Sequence, residues 1–206
     1  MVRKLGVSAE LIVIDGGSHD ETQSVSENHG ARVVKQVERG YGGALLAGFA
    51  STHAQYVITL DADLSHPPVF VEELWRSREA AEVLIASRYV EGGRAEMSAS
   101  RKLLSKILNV CYGRLLALPV RDLSSGFRLY DRKVLTHLRP VARDFDFLEE
   151  ILILAYNAGW RVLEVPFHYM PRATGRSHAK LFRFGWAYLK TLWRMWALRR
   201  SGSGLG

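Results

Sequence analysis

The sequence predicts one α/β domain with a mostly parallel sheet and helices on both of its faces. Two observations predict it. Short β-branched, apolar runs alternate with stretches of helical periodicity over the first half of the chain. Two of those runs end on aspartates, Asp15 and Asp61, at the carboxyl ends of strands, where open α/β sheets keep their ligand sites. The length of 206 residues suits one well-filled domain and falls short of two.

The elements follow in order. Leu11 to Asp15 reads as a strand and Asp20 to Asn28 as a helix, with Asp20 as its cap. Ala31 to Val37 is a second strand and Gly42 to Thr52 a helix. Tyr56 to Leu60 is a third strand, and Val69 to Glu79 a helix opened by Pro67 and Pro68. Val83 to Ser87 is a fourth strand. Arg101 to Leu116 reads as an amphipathic helix, Gly126 to Tyr130 as a short strand, and Phe147 to Ala158 as a helix stopped by Gly159. Val162 to Tyr169 is a further strand, and Lys180 to Leu198 is helical. These readings divide the chain into a domain over 1–180, a basic and aromatic helix over 181–200 and a flexible tail over 201–206.

Composition is ordinary for such a domain, at 48% hydrophobic and 24% charged. The single cysteine, Cys111, cannot form an internal disulfide. Met1 to Glu10 lacks the apolar segment of a signal peptide, and no stretch reaches the roughly 18 apolar residues of a membrane span. The net charge of +7 is concentrated at one end: eight basic residues and no acidic one follow Glu164. Without them the first 164 residues carry about −1. Trp186, Trp193 and Trp196 share that end. Arg183, Lys190 and Arg194 fall on one helical face, and Phe182, Trp186, Leu189, Trp193 and Trp196 on the other. That pattern predicts a helix lying in a membrane interface. No RNP, helix-turn-helix or zinc signature supports a nucleic-acid partner.

Asp61-Ala62-Asp63 leaves the third strand and runs into Ser65-His66-Pro67-Pro68. In an extended segment both carboxylates point to one side, which suits a hard divalent cation bridging substrate phosphates. His66 is placed to support that pair. The turn Asp15-Gly16-Gly17-Ser18 is either a plain glycine turn or one that offers backbone N–H groups and a carboxylate to a nucleotide. Arg39-Gly40-Tyr41-Gly42-Gly43 likewise reads as a flexible connection or as a phosphate-binding helix start. No Walker sequence and no GxGxxG lies between a strand and a helix.

The strings GYGGALLAGFASTHAQYVITLDADLSHPP, ASRYVEGG, DLSSGFRLYDRKVL and LEVPFHYMPRATGRS stand in the order and spacing of inverting family-2 glycosyltransferases. The chain most resembles the catalytic subunits of dolichol-phosphate (polyprenol-phosphate) mannose synthases, over residues 11 to about 180. The resemblance implies a GT-A fold, Mg²⁺ or Mn²⁺, a nucleotide sugar donor (GDP-mannose) and a polyprenyl phosphate acceptor. It further implies a peripheral position on the cytoplasmic side of a membrane and a membrane-anchoring subunit as partner. By position, Asp61 and Asp63 match the metal and diphosphate ligands. Asp15, Gly42 and Ala62 match donor contacts. Arg88, Arg101 or Lys102, and Arg172 match phosphate ligands, and Ser125, Gly126 and Arg128 match the segment near the transferred sugar. Other donors such as UDP-glucose, and a nucleotide-sugar-binding subunit without turnover, remain as alternatives.

Three departures stand out. The family opens with a strand of the type VVIPAYNE that helps hold the nucleobase, and here the sequence starts just before what is normally the second strand: it is either a fragment, a chain with a misassigned start, or a complete chain with a lowered donor affinity. The usual Asp-Asp-Gly-Ser reads Asp15-Gly16-Gly17-Ser18. The usual Gly-x-Ser-Lys reads Gly175-Arg176-Ser177-His178-Ala179-Lys180, so the lysine is displaced.

Overall fold

The computed structural model describes residues 6–96, 99–170, 192–197 and 199–200. The chain runs β1 (Ile12–Asp15), α1 (Thr22–Asn28), β2 (Arg32–Lys35), α2 (Tyr41–Ala50), β3 (Tyr56–Thr59), α3 (Val71–Arg76) and β4 (Val83–Ser87). It continues through β5 (Arg94–Ala95), α4 (Ala99–Leu115), β6 (Arg128–Asp131), α5 (Arg132–His137), α6 (Phe147–Asn157), β7 (Val162–Pro166) and β8 (His168–Tyr169). The alternation expected from the first half is present. Asp20 accepts the Thr22 N–H at 3.0 Å at the start of α1. Gly159 takes a positive φ of 79° just beyond α6, the left-handed stop that glycine adopts without strain.

The strands form three ladders. β1 and β2 pair in parallel, β5 and β8 pair in parallel, and a four-stranded sheet has the order β3–β6–β4–β7. β4 and β7 are parallel, while β6 runs antiparallel to both β3 and β4. β6 is thus the departure from an all-parallel reading. It follows the long excursion through β5 and α4, so no short crossover constrains its direction.

Side chains alternate across this sheet. Val83 and Ile85 of β4, Val57 of β3 and Tyr130 of β6 face one core with Phe49 of α2, Tyr112 of α4, Val134 of α5 and Phe147 and Ile151 of α6. Leu84, Ala86, Ile58 and Leu129 face the other core with Leu74 of α3, Phe127 and Phe167. Helices therefore cover both faces, as expected. Truncating a fully buried residue such as Leu129 to alanine would cost about 2–5 kcal/mol.

Three element boundaries differ from the sequence reading. The Val69 to Glu79 helix is a 3-10 turn over Pro68–Phe70 followed by the short α3. The strand read over Val162 to Tyr169 breaks at Phe167, whose N–H donates to the Ser87 carbonyl at 2.8 Å while its ring enters the second core; beyond it β8 pairs with β5 instead. α5 was not expected from the pattern, and it begins where Asp131 accepts the Lys133 N–H. Of the helix read over Lys180 to Leu198, residues 180–191 and 198 lie outside the described residues, and 192–197 are helical. That stretch packs on the domain rather than standing apart: Met195 is fully buried in the first core, and Arg194 pairs with Asp146 and Glu150.

Candidate active site

β3 ends at Thr59, and the chain beyond it does not stay extended. Residues 62–66 form a series of bends, with Leu64 at a positive φ of 64°. Asp61 and Asp63, expected on one side of an extended segment, therefore sit in a folded loop with its own fastenings. The Asp61 N–H donates to Nδ1 of His66 at 2.8 Å. Asp63 accepts the Ser65 N–H at 3.0 Å and its hydroxyl at 2.5 Å. His66 is buried and stacks on Phe127 at 5.0 Å, with Phe167 and Tyr169 edge-on. Burial lowers its pKa, against the pull of Asp61 and Asp63. A neutral ring whose Nδ1 accepts from the backbone carries its proton on Nε2. His66 thus acts as a latch on the carboxylate loop.

A wall of the site comes from the glycine-rich segment. Tyr41 Oη donates to Asp61 Oδ1 at 3.3 Å, and its ring stacks on Phe145 at 4.9 Å. Burial, then the Asp61 charge, push the phenol well above its ordinary pKa, so it stays a donor. A Cβ on Gly126 would overlap Tyr41 Oη and come to 3.7 Å of Asp61 Oδ1, which explains the glycine there. The Thr59 hydroxyl donates to the Gly126 carbonyl at 2.8 Å, tying β3 to the loop before β6.

The other glycines of this segment serve packing. A Cβ on Gly42 would meet Phe147 at 2.8 Å, and the Gly43 N–H donates to the Arg143 carbonyl at 3.1 Å. The α2 start is thus docked on the 143–147 segment, which uses one of the N–H groups a phosphate would need; Gly42 reads as a packing residue.

Arg88 reaches the same end of the sheet from β4. Its Nε and Nη2 grip Asp122 at 2.8 and 2.7 Å, its backbone N–H donates to Asp122 at 2.9 Å, and Nη2 also donates to Ser124. Glu164 holds the Arg121 and Asp122 N–H groups from the far side. Arg88 is therefore bound by an internal carboxylate. Arg128 is fully buried; its guanidinium donates to the carbonyls of Ser125, Leu123 and Leu148. It shapes the Leu123–Gly126 loop from behind and does not face a ligand. Ser125 is buried in that loop.

Asp15 stands at the end of β1, buried, accepting from the Ser18 N–H at 3.0 Å and from Gln23 Nε2 at 2.7 Å. Those bonds from Ser18 and Gln23 hold its pKa at about 2. Gln36 lies against Gly16 and donates to the Glu38 and Gly40 carbonyls, next to Tyr41. The Asp15 turn and the Asp61 loop are thereby linked through Gln36 and Tyr41. Ala62 is exposed on the loop, Lys102 is exposed on α4, and Arg101 lies in the first turns of that helix. Arg172 lies outside the described residues. Tyr41, Asp122 and Ser124 were missed by sequence reasoning. Tyr41 had a signal, a lone aromatic inside a glycine run; nothing in the pattern marked Asp122 as the Arg88 partner.

Among the described residues no three His, Cys, Asp or Glu side chains converge on one point. Asp61 and Asp63 nonetheless fit a divalent cation of the Mg²⁺ type, which takes one or two carboxylates and completes its shell with water and substrate phosphates.

The fold is of the GT-A type. The structure of glucosyl-3-phosphoglycerate synthase from Mycobacterium tuberculosis with Mn²⁺, UDP-glucose and phosphoglyceric acid matches with a TM-score of 0.70, covering 91% of this chain and 69% of that one at 24% identity. Residues 6–139 match glycosyl transferase family 2, and the chain belongs to that family. It is 32% identical over 202 residues to a dolichol-phosphate mannosyltransferase of Pyrococcus furiosus, covering 92% of this chain and 56% of that protein. It is 33% identical over 185 residues to a polyprenol monophosphomannose synthase of Mycolicibacterium smegmatis, covering 81% of this chain and 69% of that one. The chain thus spans a little over half the length of the Pyrococcus relative. No helix among the described residues is long and apolar enough to cross a membrane.

Proposed function

We propose that the protein transfers mannose from GDP-mannose to a polyprenyl phosphate at a membrane surface, with Mg²⁺ or Mn²⁺ at Asp61 and Asp63. The observation that carries this reading is the latched loop beyond β3. Two carboxylates are presented there beside Tyr41 and Gly126, while the imidazole of His66 beneath them is buried and occupied. With both carboxylates given to the cation and His66 to the loop, none of these three groups serves as a general base. A phosphate monoester acceptor is already anionic near neutral pH and needs none. The names of the two relatives support the acceptor class and the sugar.

Held by Asp61 and Asp63, the cation would offset charge on the leaving nucleoside diphosphate. The chain's own residues do the rest. Tyr41 orients Asp61, His66 fixes the loop, and the Ser125–Gly126 turn closes the floor. Arg101 or Lys102, and Arg172, are the phosphate ligands; Arg88 contributes through Asp122, whose grip sets the Leu123–Gly126 loop. Asp15 contacts the nucleoside. The protein sits on the cytoplasmic side of the membrane, where an anchoring subunit is its partner.

The test is transfer of radiolabel from GDP-[¹⁴C]mannose into an organic-extractable product in the presence of polyprenyl phosphate and Mn²⁺, with UDP-glucose as the competing donor. Label from UDP-glucose alone would move the donor assignment. A second reading, nucleotide-sugar binding without turnover, is favoured by the separation of β1 from β3, because Asp15 rides on the detached ladder. GDP-mannose binding by calorimetry with no extractable product would select it.

A further inference from the structure

α4 buries one side and leaves another bare. Asn109, Tyr112 and Leu116 turn inward, with exposures of 5% or less. Leu103, Ile107 and Val110, spaced i, i+4 and i+7, form an outer ridge that is 61, 49 and 41% exposed. Single exposed aliphatics are ordinary, but a continuous ridge of them on one helix marks a contact surface. Around the ridge stand the exposed cations Lys102, Lys106, Arg114 and Arg121. No acidic residue occurs between Glu96 and Asp122, and Asp122 is buried under Arg88. A hollow of about 510 Å³ opens between α4 and residues 118–121, and Lys106, Arg114 and Arg121 line it. Arg199 bonds the Leu116 carbonyl at 3.2 Å, which brings the exposed Trp196, with Arg200 over its ring, to the same end of α4.

We propose that this face of α4 is the surface that docks on an anionic lipid bilayer. The charge of the face selects that occupant. An aliphatic ridge with lysines along one flank and arginines at its end, with no acid among them and a tryptophan beside that end, matches the headgroup region, where aliphatics enter the acyl boundary and cations meet lipid phosphates. A neutral protein partner would leave four or more cations unmatched. The proposal rests on the reading above only in that the acceptor is a lipid; the docking itself is independent of catalysis.

The test is cosedimentation of the full chain with vesicles of phosphatidylcholine alone or mixed with phosphatidylglycerol. The variants are Leu103→Glu/Ile107→Glu and Lys106→Glu/Arg114→Glu, checked for folding by circular dichroism. The wild type is expected to bind the anionic vesicles at least tenfold more tightly than the neutral ones. The ridge variant loses at least tenfold. The cation variant, at about fivefold per charge removed, loses more than twentyfold. Both variants, folded, binding as the wild type does would overturn the proposal, as would a wild type that binds neither vesicle or both equally. Retention on an acidic protein with no vesicle binding would overturn it in favour of a protein interface. Mannose transfer to a short-chain polyprenyl phosphate in detergent should be unchanged in both variants. If the wild type shows vesicle binding but no transfer, the functional reading fails and the docking surface stands.

Discussion

In the four-stranded sheet, every residue of β4 and β6 is buried, whereas the β1–β2 ladder buries only Asp15. The two regions hold their functional residues by different means. On the four-stranded side, polar groups are locked in networks: Arg88 on Asp122, Asn109 on the Leu123 N–H, Arg128 on three carbonyls. On the two-stranded side, Asp15 relies on a turn and one glutamine, and α2 bridges to the rest by packing, with Gly48 against Ile14 and Phe49 against Tyr130. The Leu11 and Asp15 carbonyls accept from Arg32 and Gln36, so the backbone groups of Ile12 and Ile14 point to the opposite edge. No described strand meets them there. The four-stranded half is thus a rigid block, and the two-stranded half a lightly tied flap.

Breaking the rigid block should have the largest effect. Asp122→Ala leaves Arg88 nearly buried and without its carboxylate, and the expected loss is about 3–5 kcal/mol. For a chain of this size that lowers the melting temperature by roughly 10 °C, measured by calorimetry. A shift within error would show that the Arg88 network does not hold the block together.

Next comes the junction between the halves. Gly126→Ala drives a methyl into Tyr41 Oη, with strain of about 1–3 kcal/mol. It should reduce transfer at least tenfold with little loss of fold. Adding Tyr41→Phe removes the overlapping oxygen and should restore part of the stability lost. Additive effects in that cycle would mean the two residues do not meet.

The third test sharpens the block's interior. Burial raises Glu149 to about 8, against the pull of Arg128, and its Oε2 has no hydrogen-bond partner. The unfolded carboxyl titrates near its ordinary 4.5. Between those values the folded state holds a proton that the unfolded state has released. The stability contribution is therefore complete below pH 4.5 and is lost as pH rises toward 8, by at most about 1.4 kcal/mol per pH unit. Urea unfolding of Glu149→Gln should show a flatter pH dependence over that window; an identical slope would place the proton elsewhere.

The smallest effect belongs to the flap. The Glu10–Arg32 pair, 2.6 Å apart, is about half exposed on both sides. Screening leaves such pairs little to contribute. Glu10→Gln should leave the melting temperature unchanged, while hydrogen exchange shows the Ile12 and Ile14 amides opening far faster than those of Leu84 and Leu129. Equal protection across the four would erase the distinction between the regions.

Much of this was legible in the sequence. The alternation of apolar runs placed β1 to β4, α1 and α2 within a residue or two, since a buried strand and an amphipathic helix each impose a period. Asp15 and Asp61 could be placed at or just beyond strand ends because each closes an apolar run. Partners could not be read. Arg88, just past one strand, and Arg128, within another, look alike in the sequence, yet one is gripped by Asp122, 34 residues away, and the other by backbone carbonyls. Only tertiary packing decides between those fates. The glycines of residues 40–43 looked like a phosphate cradle because a close backbone approach has one signature, whatever approaches; here it is the 143–147 segment. The split between Pro166 and β8 lay hidden because both pieces carry the same extended pattern.

The central claim is that the loop beyond β3 holds a divalent cation against the donor through Asp61 and Asp63. The direct measurement is Mn²⁺ binding by electron paramagnetic resonance in the presence of GDP, on the wild type and on Asp63→Asn, paired with transfer from GDP-mannose at saturating Mn²⁺. The account predicts Mn²⁺ binding by the wild type, at least a tenfold weaker affinity in Asp63→Asn, and transfer by that variant near background. A folded Asp63→Asn protein that binds Mn²⁺ and transfers mannose at the wild-type rate would contradict it.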